Sequence, residues 1–288
     1  MKHKQTIFGT LSTMDKVGTS TGVECAMRAC KSRLFVGIMI LVVFSGSADC
    51  AFGAVRTWTG TNGTDWAEAT NWSGNTAPAN NTYTDTARFA DTDPSPVNKT
   101  PTLLANGNIL AVSFENSVGW TVTGSSYTLS LRVINSSGVG VNSFATILQV
   151  VTEIDHTWTI SEGSQVDLLT DVKYFGYNAA VHAITITGGG TLSFAKALLV
   201  NNDQIRLENG CLRVASASPV SAHSGSVHIS GADGKLQLKT TVAAAQTLIG
   251  TKIVDDVGGG LSVTDIGGDY VEVASIPIPP KVTLIIVY

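Results

Sequence analysis

The sequence predicts an all-β fold, a right-handed parallel β-helix (β-solenoid), on two observations: a repeated strand phrase and the turn formers between its copies. From about Asn108 onward, large apolar residues alternate with small polar ones. Examples are Ile109-Leu110-Ala111-Val112, Tyr127-Thr128-Leu129-Ser130-Leu131, Val166-Asp167-Leu168, Ile184-Thr185-Ile186, Ile205-Arg206-Leu207, Val227-His228-Ile229 and Thr247-Leu248-Ile249. The phrases return at roughly 20 residues, a spacing that marks stacked-repeat architectures. Between them lie Gly188-Gly189-Gly190, Asn201-Asn202-Asp203, Asn209-Gly210, Ala232-Asp233-Gly234 and Gly258-Gly259-Gly260, residues that accept positive φ. Helix signals are nearly absent. A β-sandwich of similar short strands is the alternative.

Alternation at period two assigns Ile184 and Ile186 to a buried face and Thr185 and Thr187 to water. One such strand has nothing to bury its apolar face against. Stacked coils do, since each covers the apolar row of the coil below and pairs its backbone groups along the stack.

The chain carries 18 Lys and Arg against 22 Asp and Glu, a net charge of −4, with no cationic run. That balance argues against nucleic acid as partner, because neutralising phosphates takes clustered cations. Residues Leu34 to Phe44 form an apolar run preceded by Arg28, Lys31 and Arg33 and followed by small residues. This is the layout of a secretory signal peptide, too short for the roughly 20 residues of a membrane span. Cleavage is expected after Gly53 or Ala54, and a start at Met27 gives a leader of ordinary length; an uncleaved anchor is the alternative. Cys25, Cys30 and Cys50 leave with this segment, so Cys211 stands alone in the mature chain as a small strand residue. No stable membrane span is expected after cleavage.

The expected organisation is a signal region over 1–54, a Trp-rich capping segment over 55–107, a solenoid over 108–275 and a tail over 276–288. Trp58, Trp66 and Trp72 crowd the capping segment. Flat aromatics cover the open apolar end of a first coil at low entropy cost, or they form a platform for sugar rings. The run Trp58-x-Gly60, Trp66, Asn71-Trp72, Pro78, Asp85 and Phe89 resembles the N-terminal signature of bacterial exported proteins with autotransporter-associated β-strand repeats. Gly189-Gly190-Thr191-Leu192-Ser193-Phe194 and Asn209-Gly210-Cys211-Leu212-Arg213-Val214 are similar to that family's repeat unit. The resemblance implies a long exported β-solenoid opened by the Trp segment.

At the other end, Tyr270 to Pro280 is similar to the junction before the sorting tail of PEP-CTERM exported proteins. Ile278 stands where that family has glutamate, and the apolar stretch Val282 to Val287 ends at Tyr288 without arginines, so the tail reads as incomplete.

Candidate chemistry is sparse. A β-solenoid polysaccharide lyase or hydrolase needs carboxylates gathered from adjacent coils. The candidates for such an acidic face are Glu153 and Asp155, with His156 beside them and Asp167, Asp171 and Lys173 one coil on. His223 and His228 differ by an odd number, so on one continuous strand they would face opposite sides, and no Cys or His pair has zinc spacing. Asp91 and Asp93 lack the glycine and glutamate of a calcium loop. The glycine triplets lack the Lys-Ser/Thr of a phosphate loop. No metal or cofactor is expected.

These readings predict a secreted or cell-surface bacterial protein, structural or adhesive, with no catalytic activity of its own, contacting polysaccharide or other copies of itself. The alternative is a carbohydrate-binding or polysaccharide-degrading module working through Trp58, Trp66 and Trp72 or through Glu153 and Asp155. A third reading, the passenger of an autotransporter, requires a membrane barrel for which the chain holds no strands long enough.

Overall fold

The computed structural model describes residues 53–80, 83–91, 96–115, 118–175, 181–196, 203–215 and 225–278. The signal region up to residue 52 and the tail from residue 279 lie outside the described residues, as do Asp93 and His223. Strands follow one another as Val55–Thr57 (β1), Thr86–Ala90 (β2), Gly107–Asn108 (β3), Ala111–Glu115 (β4), Thr121–Leu131 (β5), Val133–Ser136 (β6), Gly140–Val151 (β7), His156–Ile160 (β8) and Ser164–Leu168 (β9). Val172–Phe175 (β10), Ala183–Thr187 (β11), Thr191–Phe194 (β12), Gln204–Val214 (β13) and Ser226–Lys239 (β14) continue the stack. A short helix, Val242–Leu248 (α1), then precedes Ile253–Asp255 (β15), Leu261–Gly267 (β16) and Tyr270–Ser275 (β17).

The pairings define a parallel β-solenoid of about six turns, not a sandwich. The described strands lie on three faces, the third of them formed by the earlier coils. Face 1 stacks β1, β2, β4, β6, β8, β11, the first part of β13, the first part of β14, and β15. Face 2 stacks the first parts of β5 and β7 with β9, β12 and the later parts of β13 and β14. Face 3 stacks β3, the later parts of β5 and β7, and β10.

In-register stacking places like on like. On face 2 the inward row runs Val122, Phe144, Leu168, Phe194, Val214, Leu238 and Val271, all buried. On face 1 it runs Ala87, Val112, Ile134, Trp158, Ile186, Leu207 and Ile229. Each aliphatic or aromatic member stabilises by about 1.5–3 kcal/mol through burial. The expected parity holds at β11: Ile184 and Ile186 are buried while Thr185 and Thr187 are partly exposed.

The repeat is longer than about 20 residues in most coils. Register offsets run from 19, Leu129 to Leu148, to 31, Val55 to Thr86, because the corners and excursions between paired segments differ in length. At the corner from face 1 to face 2, Gly188 has φ of +100°, and a Cβ there would sit 2.5 Å from the Ile160 carbonyl oxygen. Only glycine lets two coils meet that closely.

Two expectations change. The parallel ladder begins at Val55 rather than at Asn108, since β1 pairs β2 and β2 pairs β4; the capping segment is itself the first coils. Thr247-Leu248 belongs to α1, not a strand. The Thr241 hydroxyl accepts the Ala244 N–H, and the run Ala243-Ala244-Ala245 has high helix propensity. At the C-terminal end of the stack β17 turns antiparallel, pairing β14 on one side and β16 on the other.

Two inward positions on face 1 are polar: Ser136, whose hydroxyl shares a hydrogen bond with that of Ser164, and His156. His156 stacks under Ile184 and Ile205, is buried, and its Nε2 has no hydrogen-bond partner. Desolvation first, and then the Arg132 charge, hold its imidazole below the usual histidine range; the Val151 carbonyl and Asp155 oppose this, and His182 adds to it. The unfolded chain therefore takes up the proton first, so stability present above about pH 6.5 falls as pH drops below that value. His156→Leu is expected to stabilise the protein by about 1 kcal/mol at neutral pH, by removing an unsatisfied buried nitrogen, and to flatten the fall in melting temperature between about pH 6.5 and 5. Calorimetry across that range checks both; an unchanged pH slope would refute the assignment.

Candidate functional site

The capping residues occupy the closed end of the stack. The Trp58 N–H bonds the Arg88 carbonyl, which places its ring above Phe89, while the Trp66 N–H bonds the Thr102 carbonyl on face 2. Trp72 lies across both, with ring centroids 5.0 Å from each and near-perpendicular planes, the edge-to-face geometry that aromatic quadrupoles favour. Phe89 stacks on Phe114 at 5.5 Å, and Phe114 meets Phe144, so the aromatic spine continues into the core. Trp58, Trp66 and Trp72 are exposed by 0, 7 and 1%. Their faces are covered, so they present no platform to a sugar ring; only an edge of Trp66 reaches a small cleft with Ala77, Pro78, Leu103 and Leu104.

The rest of the N-terminal run serves the same lid. Asn71 is buried; its Nδ2 donates to the Asp65 carbonyl and its Oδ1 accepts the Asn62 N–H. Trp58 Nε1 donates to the Asn98 carbonyl and Trp72 Nε1 to that of Trp66. Gly60 has φ of +61°, and a Cβ there would lie 2.7 Å from Trp58 Nε1. Asp85 is buried and accepts the N–H groups of Ala54 and Ala79.

The acidic candidates do not converge. Glu153 and Asp155 sit in the corner between β7 and β8, not on a strand. Glu153 reaches one coil back to Arg132 Nη2 at 2.5 Å, whereas Asp155 reaches one coil forward to the Ala183 N–H at 2.8 Å. Asp167 lies on face 2, accepting from Gln165. Asp91 is engaged by Lys99 at 2.6 Å and by Trp120 Nε1 at 3.1 Å. Burial would raise its pKa, but these donors hold it below the usual carboxylate range. Among the described residues no group of three or more His, Cys, Asp or Glu side chains is placed to hold a metal ion. Cys211 is buried, and desolvation pushes its thiol up to about 11, which keeps it protonated and unreactive.

Two polar constellations emerge that sequence spacing did not reveal. The first is an open groove on face 2, lined by Glu162, Thr191, Asn209, Asp233, Lys235, Gln237 and Glu272. Arg213 Nε donates to Gln237 Oε1 at 2.8 Å, Gln237 Nε2 donates to Glu272 Oε2 at 3.0 Å, and the Arg213 guanidinium lies over the Tyr270 ring. The second lies on face 1. Ser226 Oγ and His228 Nε2 are 2.8 Å apart, and His228 Nδ1 lies 3.0 and 3.1 Å from the two carboxylate oxygens of Asp256. Ser226 and His228 share strand parity on β14, and Asp256 follows β15 one coil later, its N–H held by the Ile229 carbonyl. The sequence signal was the i, i+2 pair; Asp256 joins it only through the register.

The fold defines the chain as a parallel β-solenoid protein. No family model, curated protein or solved structure matches it.

Trp72→Ala is expected to destabilise the protein by about 3–5 kcal/mol, the cost of an emptied large aromatic site. Denaturant unfolding followed by tryptophan fluorescence checks this, with a blue-shifted native emission expected for the wild type; a loss under about 1 kcal/mol would show that the cap is not part of the core.

Proposed function

We propose that the chain is an exported structural or adhesive β-solenoid of a bacterial surface or extracellular matrix, binding polysaccharide weakly along face 2. The observation that carries this reading is the polar ladder outside the core. Thr102 and Thr123 share a hydroxyl hydrogen bond at 2.8 Å, as do Thr121 and Ser143, and further along the stack come Arg213, Gln237 and Glu272. Register repeats these groups at the strand spacing of about 4.8 Å, and a linear polymer with hydroxyls along its length meets many weak donors and acceptors at once. Tyr270 beside the groove supplies an aromatic surface. Export is supported by the leader pattern in the sequence and by the resemblance of the Trp run to exported repeat proteins.

Two measurements test this. In affinity electrophoresis through gels containing soluble polysaccharides, the wild type is expected to be retarded by at least one, and the Arg213→Ala, Gln237→Ala double variant to bind at least about 30-fold less tightly, as the loss of one charge-assisted and one neutral hydrogen bond implies. Absence of retardation with every polysaccharide would remove the adhesive reading. N-terminal sequencing of the protein recovered outside the cell is expected to begin at Ala54 or Val55. Cleavage after Gly53 would turn the Ala54 N–H, 2.9 Å from Asp85 Oδ1, into an ammonium beside a buried carboxylate. A leader still attached would refute export by cleavage.

A further inference from the structure

We propose that Ser226, His228 and Asp256 form a nucleophile, base and orienting carboxylate, and that this end of face 1 hydrolyses carboxylic esters of small acyl groups. The arrangement has the connectivity of a serine hydrolase: hydroxyl to Nε2 at 2.8 Å, Nδ1 to carboxylate at 3.0 Å. An Nδ1–H donated to Asp256 leaves the Nε2 lone pair aimed at the Ser226 hydroxyl, the tautomer a general base needs. The orienting carboxylate is held in place. Its own N–H bonds Ile229, and the neighbouring Asp255 side chain ties down the N–H groups of Val257 and Gly260. The His228 side chain is 13% exposed and Asp256 37%, so the ring is packed in place while the constellation still meets solvent.

The flanking strand supplies polar donors. Gln204 stands opposite Ser226 and Arg206 opposite His228 in the register, and Arg206 donates through Nε and Nη2 to Gln204 Oε1. That contact turns the Gln204 oxygen toward Arg206; in the proposed reaction the remaining N–H groups of these two side chains, on the strand beside Ser226, are the donors that would meet the developing oxyanion. Ser226 and His228 are partly exposed outward residues of a sheet strand, an open setting that suits a small acyl group and an unrestricted alcohol.

The chemistry balances without a cofactor. Ser226 Oγ bonds to the ester carbonyl carbon as its proton passes to His228 Nε2. The tetrahedral intermediate collapses, the acyl carbon–alkoxy oxygen bond breaks, and the leaving alkoxide takes that proton. A water then bonds to the acyl carbon, giving its proton to Nε2. Ser226 leaves with that proton as the carboxylic acid departs. Ester and water become acid and alcohol.

The test treats the full chain with a fluorophosphonate probe and, separately, with p-nitrophenyl acetate. The expected result is a single phosphonate adduct on the peptide containing Ser226, together with p-nitrophenol release that Ser226→Ala abolishes. His228→Gln and Asp256→Asn are expected to slow both reactions roughly 100-fold or more. All three positions are outward-facing, and unchanged melting curves keep the comparison clean. Ser226→Cys is the second probe: alkylation of the introduced thiol by iodoacetamide is expected to be at least tenfold faster with His228 present than in the Ser226→Cys, His228→Gln double variant. Absence of an adduct at Ser226, hydrolysis equal in wild type and Ser226→Ala, or alkylation of the introduced thiol indifferent to His228 would overturn the proposal and leave the three residues as a surface hydrogen-bond ladder.

Discussion

Everything in this molecule depends on the in-register stacking of inward side chains from one coil to the next. A single coil has apolar residues on its inner faces and no second layer to cover them. Val122, Phe144, Leu168, Phe194, Val214, Leu238 and Val271 solve this jointly, each capping the one before. The same register pairs the backbone along the stack, so burial and hydrogen bonding rise together and neither survives a slip of one residue, which would send Ile184 and Ile186 outward. The weakness of such a design falls at its two ends. The N-terminal end is closed by side-chain volume, with Trp58, Trp66 and Trp72 packed edge to face over Phe89. At the other end the backbone direction changes: β17 runs antiparallel onto β14, and β16 onto β17. An antiparallel hairpin ends the parallel repeat, which blunts further stacking of like coils.

Register acts on the outside as strictly as on the inside. Residues one coil apart stand side by side, so like charges in one row would repel along the whole stack. The outer rows avoid this. Arg88 faces Glu115, Arg132 faces Glu153, and Gln237 separates Arg213 from Glu272. Exposed pairs of this kind stabilise by about 0–1 kcal/mol each. Their larger effect is to fix the outer side chains in defined rotamers, and a surface of ordered hydroxyl, amide and charged rows loses less entropy on binding a polymer than a mobile one.

Much of the fold is legible in the sequence because period-two alternation and glycine punctuation are local signals. Ile184-Thr185-Ile186 and Gly188 carry their burial and their corner in adjacent residues. The first coils read as a separate cap because Thr57 to Phe89 holds long excursions between very short paired segments, so β1 and β2 lack the alternating phrase. Thr247-Leu248 misleads because an apolar pair beside threonine suits a strand as well as a helix end, and the deciding residue, the Thr241 cap, lies six positions upstream. The three tryptophans stand out as a cluster, but composition does not tell whether a ring faces the core or solvent; that depends on Asn71 and Asn98, whose amides and carbonyls fold the loop back over the rings.

The polar constellation on face 1 is not legible for a reason built into the architecture. Ser226 and His228 are adjacent outward residues of one strand, but the in-register neighbour of His228 in the next coil is Val254, not an acid. Asp256 reaches the imidazole because β15 ends at Asp255, and the turn that follows is tied to the Asp255 carboxylate through Val257 and Gly260. In a regular coil the chain would have continued through a glycine corner onto face 2, and the residue in this place would have entered that ladder. Stacking register normally engages every outward side chain with its neighbours above and below. Where the repeat breaks, a side chain is released from its row and can approach the previous coil diagonally. The terminal coils of a solenoid, being the least regular, are therefore where three unlike groups meet most readily.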